Sequence, residues 1–133
     1  IDFTNLGNRQ YLVRKIKRDL ERYKVSNPKV SIVIPAYNEE TTLLRTLSSF
    51  SKMTTRYSAE LIVVNNNSSD RTQEILDLCG VKSVFESKQG ISYARQAGLE
   101  AARGTYILNA DSDSIYPPKW IDAMTENLEN ENN

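Results

Sequence analysis

VSIVIPAYNEE, residues 30–40, begins as a short run of Val and Ile that is stopped by Pro35. β-Branched side chains suit a pleated strand, and a run without polar alternation suits a strand covered on both faces. The segment after it reads as a helix start. Asn38 is placed to cap, Glu39 and Glu40 complement a positive helix N-terminus, and Leu43, Leu44, Leu47 and Phe50 form one inner face.

The same alternation recurs downstream. ELIVVN (60–65) gives a second strand, followed by the turn Asn66-Asn67-Ser68-Ser69 and a helix that Asp70 caps and Ile75, Leu76 and Cys79 anchor. VKSVFE (81–86) gives a third strand, Ser92 to Ala102 a helix, and TYILN (105–109) a fourth strand. Strands alternating with helices predict an α/β chain: a three-layer α/β/α sandwich with a mostly parallel, Rossmann-like sheet. Ligands of such sheets gather at the C-terminal strand ends. Segments 35–39, 65–68, 87–90 and 110–113 should therefore share one rim.

Upstream, residues 1–29 read as a basic amphipathic helix or linker, with Leu12, Ile16, Leu20 and Tyr23 at helical spacing. This leader carries eight Lys/Arg against three acids, and residues 30–133 carry nine against fourteen. A basic leader on an acidic body is not the footprint of a nucleic-acid binder. The leader is compatible with peripheral contact at an anionic membrane face, while packing against its own domain is the favoured reading. No run is long and apolar enough to span a bilayer and no secretory signal is evident, so a cytoplasmic protein, or one at the cytoplasmic membrane face, is expected. The chain starts at Ile1 and stops at Asn133 with no closing element, which reads as a piece of something longer.

With 133 residues, one cysteine and no histidine, the chain has room for one core, no intrachain disulfide and no histidine-based catalysis. Any metal must be held by oxygen. Asp111-Ser112-Asp113 is the sharpest candidate, since it follows directly on an apolar strand. An EF-hand fails because Tyr116 and Asp122 stand where glycine and glutamate are required. A haloacid-dehalogenase-like phosphatase also places Asp-x-Asp after a strand, but needs further motifs downstream. No glycine-rich phosphate loop is present. Ala94, Ala97, Gly98 and Ala101 give the helix after Gly90 a face of small residues for close packing, and Arg95, off that face, suits a ligand anion or a structural ion pair equally well.

The ordered blocks IVIPAYNEE, LIVVNNNSSDRT, KQGISYARQAGLEAARGTYILNADSD and YPPKW resemble family 2 glycosyltransferases of the GT-A fold, over about Val30 to Trp120. The resemblance implies that residues 30–133 are the nucleotide-sugar-binding portion of a GT-A domain. Pro35, Ala36, Tyr37 and Glu39 would line the nucleoside site, with Asn65 where the family usually has a base-binding aspartate and Asn67 in the adjoining turn. Lys88, Gly90 and Arg95 would face the nucleotide. Asp111, Ser112 and Asp113 would form the diphosphate and metal site, with Asp111 and Asp113 binding Mg²⁺ or Mn²⁺ and Asp113 the direct ligand.

Asn65 departs from the family, and because an amide both donates and accepts, a UDP-sugar is favoured while a GDP-sugar stays open. The implied reaction is metal-assisted, inverting transfer of a sugar to a glycan or lipid-linked acceptor in polysaccharide synthesis. Its catalytic base is expected beyond Asn133. The alternatives are a nucleotide-sugar-binding module without turnover and the dehalogenase-like phosphatase.

Overall fold

A computed structural model of the chain describes residues 9–131; residues 1–8 of the basic leader and residues 132–133 lie outside it. Four strands, β1 (Val30–Ala36), β2 (Ala59–Asn65), β3 (Lys82–Phe85) and β4 (Tyr106–Asn109), form an all-parallel sheet in the order β3-β2-β1-β4. The chain steps outward from β1 to β2 to β3, then crosses back to place β4 on the far side of β1. Right-handed crossovers put connections that run in opposite directions on opposite faces of a sheet.

Accordingly α2 (Leu43–Ser51) and α3 (Thr72–Cys79) cover one face, and α4 (Ile91–Ala101) covers the other. α1 (Gln10–Leu20) and α5 (Trp120–Glu131) join the first layer, completing the expected three-layer sandwich. The period-2 alternation of strands divides the core. Ile32, Ile34, Leu61 and Val63 meet α1, α2, α3 and α5, while Val33 and Val64 meet Ala94 of α4.

α1 is built into the larger core. Val13, Ile16, Leu20 and the following Tyr23 are buried, and the Tyr23 hydroxyl donates to the Phe50 carbonyl at 2.6 Å. Leu12, expected on that inner face, is only half-buried, and Val13 takes the inner position. Arg14, Lys15, Lys17 and Arg18 are exposed. Among the described residues, no helix is long and apolar enough to cross a membrane.

Two helix starts differ from expectation. α2 begins at Leu43, and Asn38 does not cap it. Asn38 instead takes a left-handed turn (φ 50°), donates its N–H to Ser68 Oγ at 2.9 Å, and accepts the Ser69 N–H at 2.8 Å. Asp70, expected to cap α3, stands one residue before its N-cap, Arg71: one oxygen accepts the Thr72 N–H (2.9 Å) and the Thr72 hydroxyl (2.6 Å), and the other takes the Glu40 N–H at 3.2 Å. The two Asn38 bonds and the Glu40–Asp70 bond tie the β1–α2 turn to the β2–α3 turn.

At the opposite end of the sheet lies a buried carboxylate, Glu60, only 1% exposed. Its oxygens accept the Ser31 hydroxyl at 2.6 Å, the Arg103 N–H at 2.8 Å and the Arg103 guanidinium at 3.2 Å, with Lys82 at 3.5 Å. Burial alone would raise its pKa, but the hydrogen bonds from Ser31 and Arg103 and the charge of Lys82 outweigh it, so the pKa falls below the usual 4.5. A carboxylate with a depressed folded-state pKa stabilises the fold above its unfolded value and loses that contribution as pH falls toward the folded value. Glu60→Gln is therefore expected to cost about 2 kcal/mol at pH 7, since charge-assisted bonds exceed neutral ones. Below pH 4.5 the deficit should shrink, as measured by urea denaturation across pH. A deficit that stays constant with pH would remove the charge from this account.

Candidate functional site

The order reversal between β1 and β4 opens a crevice at their C-terminal ends, as parallel sheets do at a switch point. Here it is a cleft of about 550 Å³. Pro35, Ala36, Tyr37 and Glu39 form one wall from the end of β1. Asp111, Ser112 and Asp113 form a second from the end of β4, and Gly90 lies on the third. Eight of the residues singled out in the sequence thus meet in one place.

The Asp111–Asp113 loop is pinned through its backbone. The Asp111 N–H donates to the Tyr116 phenol oxygen at 2.7 Å. Thr46 Oγ1, from α2, lies 3.0 Å from the Ser112 carbonyl and 2.7 Å from the Ser114 carbonyl. Tyr116 is itself held against Phe50 and Trp120, with ring centroids 5.3 and 4.6 Å away. Ser112 is buried by this anchoring, while the Asp111 and Asp113 side chains on either side of it are exposed. Neither carboxylate has a hydrogen-bond or ion-pair partner among the described residues.

Glu39, across the cleft, accepts the Thr42 hydroxyl at 2.8 Å. Among the described residues, no Lys or Arg lines the cleft. Three carboxylates facing a space without a cation favour a positively charged occupant. All the donors are hard oxygens, which suits Mg²⁺ or Mn²⁺ over softer metals. Among the described residues no cluster of three or more metal-ligating side chains exists. Asp111 and Asp113 alone would hold such a cation only with water or another ligand completing its coordination.

The other candidates sit apart from the cleft wall. Asn65 is 2% exposed and turned toward α3; its amide donates to Gln73 at 2.9 Å and its carbonyl oxygen accepts the Ser68 N–H at 3.0 Å. Asn67 makes a left-handed turn (φ 59°). Lys88 is exposed, its ammonium 5.6 Å from the centre of the Tyr93 ring. Arg95 lines a separate groove of about 190 Å³ with Val33, Leu99 and Asn109.

Conversely, Asn66 and Gln89, expected on the rim but given no individual role there, line the cleft, as do Ile91 and Ala94, which were not expected on it. A polar residue directly after a strand was the available signal for Asn66. Ile91 had none, because an exposed isoleucine cannot be told from a core one by type alone.

Comparison with known proteins bears on the family and the fold. The model of the family described as Glycosyl transferase family 2 matches residues 31–133. The chain is 33% identical over 107 residues to the glycosyltransferase EpsJ of Bacillus subtilis (strain 168), covering 77% of this chain and 31% of that protein. It is also 33% identical over 107 residues to a dolichol-phosphate mannosyltransferase of Pyrococcus furiosus, covering 77% of this chain and 30% of that protein. The chain thus spans about a third of the length of the curated relatives it matches.

Among solved structures, S. aureus TarS 1-349 superposes with a TM-score of 0.68 at 24% identity, over 77% of this chain and 32% of that one. Glucosyl-3-phosphoglycerate synthase of Mycobacterium tuberculosis, solved with Mn²⁺ and UDP-glucose, superposes with a TM-score of 0.67 at 24% identity, over 87% and 43%. At that identity the structural likeness speaks for the fold. The match of the family model over most of the chain goes further: this chain belongs to glycosyltransferase family 2.

Proposed function

We propose that the cleft binds the nucleoside diphosphate of a sugar donor, and that the protein to which this chain belongs is a metal-assisted, inverting glycosyltransferase of polysaccharide synthesis. The carrying observation is the pair of unpartnered carboxylates, Asp111 and Asp113, on a pinned loop beside a cleft lined by no cation. Relatives named as glycosyltransferases, and a fold neighbour solved with Mn²⁺ and UDP-glucose, support the reading.

In this reading Pro35, Ala36 and Tyr37 hold the nucleoside, and Tyr37, about half exposed, offers a ring face to a base. Asp111 and Asp113 would hold Mg²⁺ or Mn²⁺. When bound, such a cation stabilises the negative charge that grows on the leaving diphosphate, so no protonated side chain is needed there. Recognition of the base by the Asn65 side chain would require it to leave both Gln73 and Ser68. The acceptor is a hydroxyl of a glycan or a lipid-linked sugar. Membrane contact through α1 would be electrostatic, using Arg14, Lys15, Lys17 and Arg18, because Val13, Ile16 and Leu20 are committed to the core.

Calorimetric titration of the chain with UDP, GDP and CDP, with and without Mn²⁺, tests the reading. Binding of one diphosphate that requires metal is expected, with UDP the tightest. Absence of binding by all three would sink it. Phosphate release from simple nucleotides would point to the dehalogenase-like alternative instead.

A further inference from the structure

The third wall of the cleft, formed by Gln89, Gly90 and Ile91, belongs to no regular strand and must be held by something. Asn66, the first residue after β2, is 4% exposed and reaches across to it. Its amide nitrogen donates to the Glu86 carbonyl at 3.1 Å and to the Lys88 carbonyl at 2.8 Å. Its amide oxygen accepts the Gly90 N–H at 2.9 Å. Two acceptors and one donor around one amide permit a single orientation, so every polar atom of the side chain is used on this loop. The Asn66 backbone N–H donates to the Ala36 carbonyl at 2.9 Å, fixing it to the end of β1, the opposite wall.

The clamp closes on a backbone conformation that glycine adopts and other residues rarely do. Gly90 sits at φ 144°, ψ 142°, a region open in practice to glycine, and a Cβ there would lie 3.3 Å from the Tyr93 ring. Gly90 is also where α4 begins, its carbonyl accepting the Ala94 N–H at 3.1 Å. Fixing Gly90 therefore sets the entry of α4 and the placement of Ile91 in the cleft.

We propose that Asn66 is the positioning residue of this site: it sets the distance between the β1 wall and the Gln89–Ile91 wall, and through it the affinity for the donor nucleotide. The proposal rests on the donor-binding reading of the cleft, and its test has one readout that needs no ligand. In the 133-residue chain, Asn66→Ala removes all three bonds. Asn66→Asp keeps the acceptor for the Gly90 N–H and removes the two donated bonds. Hydrogen exchange of the Gly90 amide, UDP affinity in Mn²⁺ by calorimetry, and the thermal midpoint are measured on both.

Asn66→Ala is expected to speed Gly90 exchange and weaken UDP by about tenfold, near the worth of one or two buried hydrogen bonds. Asn66→Asp should fall between it and the wild type in both. Unchanged Gly90 protection in Asn66→Ala would overturn the clamp. Lost protection and a lower thermal midpoint with unchanged UDP affinity would overturn the positioning role, leaving a structural one. A wild-type chain that binds no diphosphate would overturn the donor reading instead, with Gly90 exchange still deciding whether Asn66 holds the wall.

Discussion

Asp113→Ala is expected to abolish metal-dependent diphosphate binding, a loss of about a hundredfold or more, because a bound divalent cation contributes several kcal/mol toward a phosphate oxygen. Asp111→Ala should weaken binding less, if Asp113 is the direct ligand and Asp111 steadies coordinated water. Both variants should fold normally. The loop is held through the Asp111 N–H, the Ser112 and Ser114 carbonyls and Tyr116, and none of these bonds uses a carboxylate. Without metal, removing one of two neighbouring negative charges should leave the thermal midpoint unchanged or slightly raised. Calorimetry with Mn²⁺ and thermal melts without it provide the two halves. If Asp113→Ala binds UDP as the wild type does, the carboxylates are merely solvated and the metal account fails.

Gly98→Ala is expected to destabilise the fold, against its helix propensity. In most helices this change gains about 1 kcal/mol of propensity. Here a Cβ at Gly98 would come within 2.2 Å of Val33 Cγ1 and 3.2 Å of Val64 Cγ2. Val33 is 1% exposed on β1, and its short branched side chain is held at χ1, so α4 has to lift from the sheet. Overpacking of that kind costs about 1–3 kcal/mol, occasionally more. A net loss of about 2 kcal/mol is expected in urea denaturation. Val33→Ala removes the obstructing methyls, so the double variant should recover part of the loss, and the two changes should be clearly non-additive. Strict additivity would show that the contact is not the cause.

Gly98 also shows how far local pattern reaches. Ala94, Ala97, Gly98 and Ala101 read as a close-packing face, and Ala94 and Gly98 are the two buried residues of α4. The strands were equally legible, because uninterrupted Val and Ile runs leave few alternatives to a doubly covered strand. Contacts between distant segments were not legible. Asn38 followed by two glutamates carries the local signature of a helix start, yet Ser68 and Ser69, from the β2–α3 turn, claim its amide groups. Asp111 and Asp113 could be read because position at a strand end is a local property. Asn66 could be placed on the rim for the same reason, but its hold on the 86–90 loop could not be read, because an asparagine in a polar turn resembles any other until that loop is brought against it. Asn65 and Asn67 differ from Asn66 only by one place in the alternation, and that place decides which of the three faces the cleft.

The strand order also bears on the sequence of events in folding. β1 meets β2 by pairing Val30 with Ala59, but meets β4 by pairing Val30 with Tyr106, after far more intervening chain. Closing the longer loop costs more entropy before any contact rewards it, so the β1-α2-β2 unit is favoured to assemble before β4 arrives. The Asp111–Asp113 loop follows β4, the strand this order favours docking last. A ligand that bridges both sides of the crevice would therefore act as a latch on the latest step of folding, and would slow unfolding more than it speeds refolding.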